Sequence, residues 1–308
     1  MHGSPAFMSH PQHIAPPPIP QEISEESLKQ HVYMLAGEIG ERNIQRPESL
    51  ISAAHYISRQ WQAMGYEIYT QGYRAKNIPC TNIEITRQGT ETPEKIIVVG
   101  AHYDSIPGSP GANANASGVA TLIELARMAR SMTFKSTIKF VALVNQEPPF
   151  FGTEYMGSWM YAHQAHLRGD DIQLAILLDS IGNYTDAPNS QHYPPFLGSR
   201  SLQQGNFLTL LSNLKSRHQG HRLFSSFRRH SNFPIKKIVA PRFIPGMSWG
   251  DQSPFWLHHY NAVMLTDTGP YRSKFYHSGR DTPEKLNYAA MQKLSSAIMH
   301  SLASLAQG

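Results

Sequence analysis

The 308-residue chain carries a net charge of +5 and 40% hydrophobic residues, enough for one sizeable core. Only 16% of residues are charged, and the basic ones are scattered outside one stretch, so nucleic acid is not an expected partner. The single cysteine, Cys80, excludes an internal disulfide and a cysteine-based zinc site.

In chain order, the opening MHGSPAFMSH reads as a cloning remnant, and Pro16, Pro17, Pro18 and Pro20 predict an extended, poorly ordered arm over 1–21. Residues 22–308 read as one domain. A first helix is expected over 24–36, capped by Ser24 or Ser27. Leu50, Ala54, Ile57, Trp61 and Met64 recur at helical spacing. Residues 66–73 and 77–87 alternate like strands, and KIIVVGA at 95–101 is an apolar run typical of a buried strand. A helix from about Gly118, a strand over 137–144, a helix over 157–168 and strands over 174–181 and 262–266 follow. The last helix is expected to start at Pro283, capped by Asp281 or Thr282. Strands alternating with helices predict an α/β fold, with a mixed, largely parallel central sheet covered by helices on both faces. No apolar run of about 18 residues exists to span a membrane, and none is expected as a partner.

Polar residues collect where the apolar strands end. His102 and Asp104 follow KIIVVGA, Gln146 and Glu147 follow IKFVALVN, and Asp179 follows LAILL. Ligand sites in open α/β sheets form beyond the carboxyl ends of strands. His277, in FYHSGRDTPEKL, can complete the cluster from a late loop. Each residue alone also has an ordinary structural role. Three strands delivering His, Glu and Asp to one edge favour a site of zinc-ligand type.

The segments VVGAHYDSIPGSPGANANASGVATLIELAR, NQEPPFFGTEYMGS, LLDSIG, DQSPFW and YHSGRDTPEKLNY resemble metallopeptidase family twenty-eight, from about residue 48 to the C-terminus. This is the family of aminopeptidase Y, bacterial leucyl aminopeptidases and glutaminyl cyclase relatives. The resemblance implies the zinc aminopeptidase-like (phosphorylase/hydrolase-like) architecture and a peptide, or its N-terminal residue, as ligand. It suggests a periplasmic or secreted location, which the sequence itself does not fix. It also implies a di-zinc site in which His102, Glu147, Asp179 and His277 match metal ligands and Asp104 orients His102. Tyr271 and Arg272 resemble a segment lining the substrate cleft. Arg272 can meet a ligand carboxylate there, or serve in a scaffold salt bridge.

Central positions depart from the family pattern. Its bridging aspartate is Ala114 here, its general-base glutamate is Gln146, and its Ser-Asp-His segment reads Gly250-Asp251-Gln252. Two dications about 3.5–4 Å apart repel by roughly 20 kcal/mol at an effective dielectric of about 20. Alanine supplies no offsetting anion, and glutamine cannot take a proton from water. The expectation is therefore at most one weakly held zinc and an inactive or strongly impaired homologue that keeps a peptide-binding cleft. The alternative is an active zinc aminopeptidase with non-standard ligands, for which Asn113, Asp251, Asp267 and Glu154 are the candidates. Natural divergence is favoured over deliberate substitution, because Gly250 and Gln252 are not obvious engineering choices. The basic cluster over 215–237, interleaved with Phe224, Phe227 and Phe233, reads as a solvated helix–loop face, with an acidic partner as the alternative.

Overall fold

A computed structural model of the chain describes residues 22–193 and 203–307. The expected arm over 1–21 lies outside the described residues. One sheet of eight strands runs through the molecule in the order β1-β2-β4-β3-β5-β8-β6-β7. Its centre is parallel: β4 (Ser136–Leu143), β3 (Thr92–His102), β5 (Asp171–Leu178) and β8 (Ala262–Thr266) all point the same way. β4, β5 and β8 are buried nearly throughout, and β3 from Ile96 onwards, which explains their largely apolar sequence. On one flank β1 (Tyr69–Ala75) and β2 (Ile78–Arg87) form an antiparallel hairpin that continues onto β4. On the other, β6 (Leu208–Ser212) runs against β8 and carries β7 (Ile235–Val239) parallel to itself.

Helices cover both faces. Leu28, Trp61, Val119, Ile123, Leu223 and Ile298 share one core with the inward side of the sheet. They come from α1 (Glu25–Val32), α2 (Pro47–Ala63), α3 (Ser117–Arg130), α5 (Arg217–His230) and α7 (Tyr288–Ala306). The opposite face is closed by α4 (Gly157–Arg168) and α6 (Gln252–Leu257), with Tyr161, Ala165, Phe255 and Trp256 in a second core. The first helix is capped as expected, with Ser24 Oγ accepting from Ser27 N–H at 3.0 Å. Beyond Val32 it widens into a π-type coil over Tyr33–Ile39.

The last helix starts later than the sequence suggested. Pro283–Lys285 form only a single 3₁₀ turn, and α7 begins at Tyr288, where Asn287 Oδ1 caps Ala290 N–H at 3.0 Å. The Asp281 carboxylate is engaged elsewhere: it accepts backbone N–H groups from residues 113 and 114 and so is not available as a cap.

Candidate active site

Because β3, β4, β5 and β8 are parallel, their carboxyl ends share one edge, and the polar residues of the sequence meet there. His102 is the last residue of β3, Gln146 and Glu147 lie just past β4, and Asp179 follows β5 directly. His102 and Glu147 are buried, whereas the Asp179 and His277 side chains keep 15% and 28% of their exposure, so a ligand reaches them from solvent.

Asp104 organises this edge. Its carboxylate accepts the backbone N–H of Gln146 at 3.2 Å and of Glu147 at 3.0 Å, and lies 3.4 Å from His102 Nδ1. On its other side the His102 ring faces Asp179, with Nε2 3.9 Å from Oδ1. Burial pulls the His102 imidazole down, but the Asp104 and Asp179 carboxylates outweigh it and hold its pKa well above the ordinary value. His277 Nε2 lies 3.0 Å from Glu147 Oε1, and its ring is stacked on Tyr276 at 3.7 Å. The expected ligand positions therefore gather as two pairs, His102 with Asp179 and His277 with Glu147.

The loop opposite is pinned by its own backbone. Ala114, 2% exposed, gives its N–H to Asp281 Oδ2 at 3.1 Å, beside the Asn113 N–H on Oδ1 at 2.9 Å. Asn113 and Asn115 tie the same loop to the end of β5, accepting from Gly182 N–H at 2.8 Å and Ser180 N–H at 3.0 Å. Gln146 is committed as a donor, with Nε2 giving to the Trp249 carbonyl at 3.1 Å.

These residues do not fit a paired zinc centre. His102 Nε2 is a buried nitrogen without a hydrogen-bond partner among the described residues, as a ligand would be. At the position expected from the resemblance to bridge two metals, however, Ala114 offers only a methyl group.

Sequence reasoning assigned no site role to Asp281 or Asn115, which shape the loop through backbone contacts. Of the alternative ligands, Glu154 is exposed. Asn113 donates its amide to Asp267 Oδ2 at 3.0 Å. Asp251 and Asp267 are buried, each with an Oδ1 lacking a partner among the described residues, and burial pushes both carboxyls up to about 7. A folded-state pKa raised from 3.8 to about 7 means that the native state binds a proton the unfolded state releases. The stability Asp267 supports is thus complete below about pH 4 and lost as pH rises towards 7. Asp267→Asn should flatten that slope, removing a loss of at most roughly 4 kcal/mol. Chemical denaturation at pH 5 and pH 8 checks this, and an unchanged slope would count against it.

Beside Asp179 opens an apolar cavity of about 140 Å³, walled by Phe207, Leu211, Ile238, Met247, Met264 and Tyr276. Tyr271 also lines it. Arg272 does not line this cavity; it is 8% exposed and engaged in the scaffold. Its Nε donates to Gln191 Oε1 at 2.8 Å, its Nη1 to the Asn183 carbonyl at 3.2 Å, and its guanidinium lies 4.7 Å from the Phe207 ring.

The basic stretch forms α5 and β7. Arg228 and Lys237 lie over the Phe224 ring at 5.8 and 5.4 Å, and Phe227 is buried, so these rings do not form an open stacking surface.

Residues 82–302 match the model of Peptidase family M28. The chain belongs to that family. The uncharacterized protein YfbL of Escherichia coli K12 is 32% identical over 292 residues, covering 92% of this chain and 89% of its own length. Aminopeptidase YwaD of Bacillus subtilis is 42% identical over 91 residues, only 28% of this chain and 18% of that protein. Among solved structures, the zinc aminopeptidase BSAP of Bacillus subtilis superposes with a TM-score of 0.74 at 13% identity, over 94% of this chain and 96% of that one. A glutaminyl cyclase of Bacteroides thetaiotaomicron gives 0.69 at 16% identity, over 92% of this M28 chain and 99% of its own. At these identities the likeness is one of fold.

Proposed function

We propose that this M28 chain binds the end of a peptide, with an apolar residue in the cavity beside Asp179, and is impaired in hydrolysis. The observation that carries the reading is the pair of residues at the heart of the site. Ala114 offers no anion between two cations, and Gln146 offers a neutral amide where water activation needs a proton acceptor. His102–Asp179 and Glu147–His277 hold at most one weakly bound zinc between them, since zinc usually takes three or four protein ligands. That zinc, when bound, would supply a Lewis acid. Asp104 orients His102, Tyr276 steadies the His277 ring, and the apolar wall selects the side chain.

One observation favours a second reading, an active aminopeptidase with non-standard ligands. The buried Asp251 carboxylate lies in the fields of His102 and Asp179 and has an unpartnered oxygen among the described residues. Elemental analysis of purified protein separates the two, combined with an assay of N-terminal leucine release. The first reading expects at most one zinc per chain and little or no turnover, with saturable binding of a leucine-ended peptide read from a change in tryptophan fluorescence that is lost in Trp249→Phe. Two stoichiometric zincs together with turnover would establish the second reading instead.

A further inference from the structure

Next to the apolar cavity lies a second, larger pocket of about 420 Å³. The two share a rim of His192, Pro270 and Tyr271. The rim is braced, since His192 N–H donates to the Tyr271 carbonyl at 2.7 Å and Gln191 Nε2 to Thr268 Oγ1 at 2.9 Å. His192 is exposed, so a chain leaving the cavity can pass over it into the second pocket.

This pocket is positively charged. Arg272, Lys274 and Lys285 line it, and no described Asp or Glu does. Arg272 is fixed in its wall, with an Nη2 that lacks a hydrogen-bond partner among the described residues. Lys274 and Lys285 are exposed. Each holds its Nζ 5.5 Å from the Phe275 ring, where the Arg280 guanidinium joins them at 4.5 Å. Ring contacts at exposed sites are weak, so one phenyl face does not neutralise three cations that repel one another.

The acids of the flanking segments are bound elsewhere. Asp186 accepts from Asn206 Nδ2 at 2.7 Å, Asp267 from Asn113 Nδ2 and the Asn183 N–H, and Asp281 from the N–H groups of residues 113 and 114. Glu284 accepts the Thr282 hydroxyl at 2.6 Å and lies 3.9 Å from Lys285. Lys274 and Arg280 have no ion pair among the described residues. The stretches outside the described residues, 1–21, 194–202 and Gly308, contain no Asp or Glu to supply one.

We propose that this pocket is a carboxylate subsite, and that the ligand is a short peptide whose C-terminus, or an acidic side chain next to its first residue, is held by Lys274 and Lys285. The inference rests on the reading that an apolar end residue occupies the cavity beside Asp179. The polarity of the whole cleft matches such a ligand. Glu147 and Asp179 stand at one end and attract an ammonium group, while the lysines stand at the other and attract a carboxylate. A carboxylate between the lysines gains charge-assisted hydrogen bonds and offsets their mutual repulsion. Because the pockets share a wall, a short peptide spans both.

Isothermal titration calorimetry of the full chain tests this with two pairs of ligands. One is leucyl-glycyl-glycine and its C-terminal amide; the other is leucyl-glutamyl-glycinamide and its glutaminyl counterpart. In at least one pair the acid should bind about tenfold tighter than its neutral partner at low salt, the modest gain expected of exposed ammonium groups. In Lys274→Gln/Lys285→Gln that preference should fall below about twofold, while the neutral peptides keep their wild-type affinity. The pair that shows the preference identifies the source of the carboxylate. Equal affinities within both pairs would overturn the subsite and leave the cavity reading intact, as would a preference that survives the lysine changes. Failure of all four peptides to bind would overturn both.

Discussion

An Ala114→Asp/Gln146→Glu double variant is expected to take up two zinc ions per chain and to raise release of an N-terminal leucine at least about 100-fold. Each change addresses a separate physical deficit. A carboxylate at 114 supplies the anion that offsets repulsion of roughly 20 kcal/mol between neighbouring dications. The backbone there is already held, since the residue's N–H is fixed by Asp281, so a longer side chain is added to a positioned Cα. A glutamate at 146 supplies the proton acceptor, worth a factor of about 10² to 10⁴. Its backbone contact with Asp104 survives, but the bond from the Gln146 amide to the Trp249 carbonyl does not. Two acceptors then face each other, which turns the new carboxylate away from Trp249. Inductively coupled plasma mass spectrometry and a fluorogenic leucine substrate read the two effects separately. Unchanged metal content in the double variant would mean that restoring these two acids is not sufficient, and would point to the Gly250-Asp251-Gln252 departure as well.

Arg42→Met is expected to destabilise the protein by about 3–5 kcal/mol, because several buried carbonyls lose their donor at once and each unsatisfied one costs about 1–3 kcal/mol before the site relaxes. Arg42 is fully buried, and its guanidinium donates to five carbonyls: Leu35, Gly40, Tyr103, Pro110 and Gly111, at 2.6 to 3.1 Å. Burial lowers its pKa to about 10, with Asp104 and Asp281 opposing, so it stays cationic at neutral pH. Methionine fills part of the volume but leaves those carbonyls without their donor. For a chain of this size the loss corresponds to a melting point lower by roughly 10 °C. Differential scanning calorimetry measures it, and a shift of a degree or two would show that water replaces the guanidinium. The same variant should loosen the loop of residues 111–116, because Arg42 holds the Pro110 and Gly111 carbonyls at its entrance.

The elements legible in the sequence were those whose pattern is set by burial. The strands at 95–101 and 262–266 are apolar because both faces of the sheet are covered, and the helix at 157–168 was bounded correctly. The short flanking strands were not expected. Leu208–Ser212 and Ile235–Val239 are five residues each, and the second, IKKIV, lies at the sheet edge with two exposed lysines inside a basic stretch. Length and charge hid what pairing with neighbours supplies. The strand-end residues His102, Glu147 and Asp179 were readable because a parallel sheet fixes where its carboxyl ends lie. His277 was expected to complete the cluster from a late loop, but its role as a ligand rested on its place in the resembling motif. Asp281 was expected as a helix cap, and its use by the 113–114 backbone depends on a contact across 167 residues of chain, which no local pattern encodes.

The reversal of direction at β6 divides labour within the molecule. His102, Glu147 and Asp179, at the carboxyl ends of β3, β4 and β5, all precede residue 207 in the chain. Much of the greasy wall next to Asp179 is built from residues 207–249, after the sheet has turned back on itself. Mutations in that later stretch can reshape which side chain is admitted while leaving the histidines and carboxylates where they stand. Selectivity and chemistry can thus drift at different speeds within one fold.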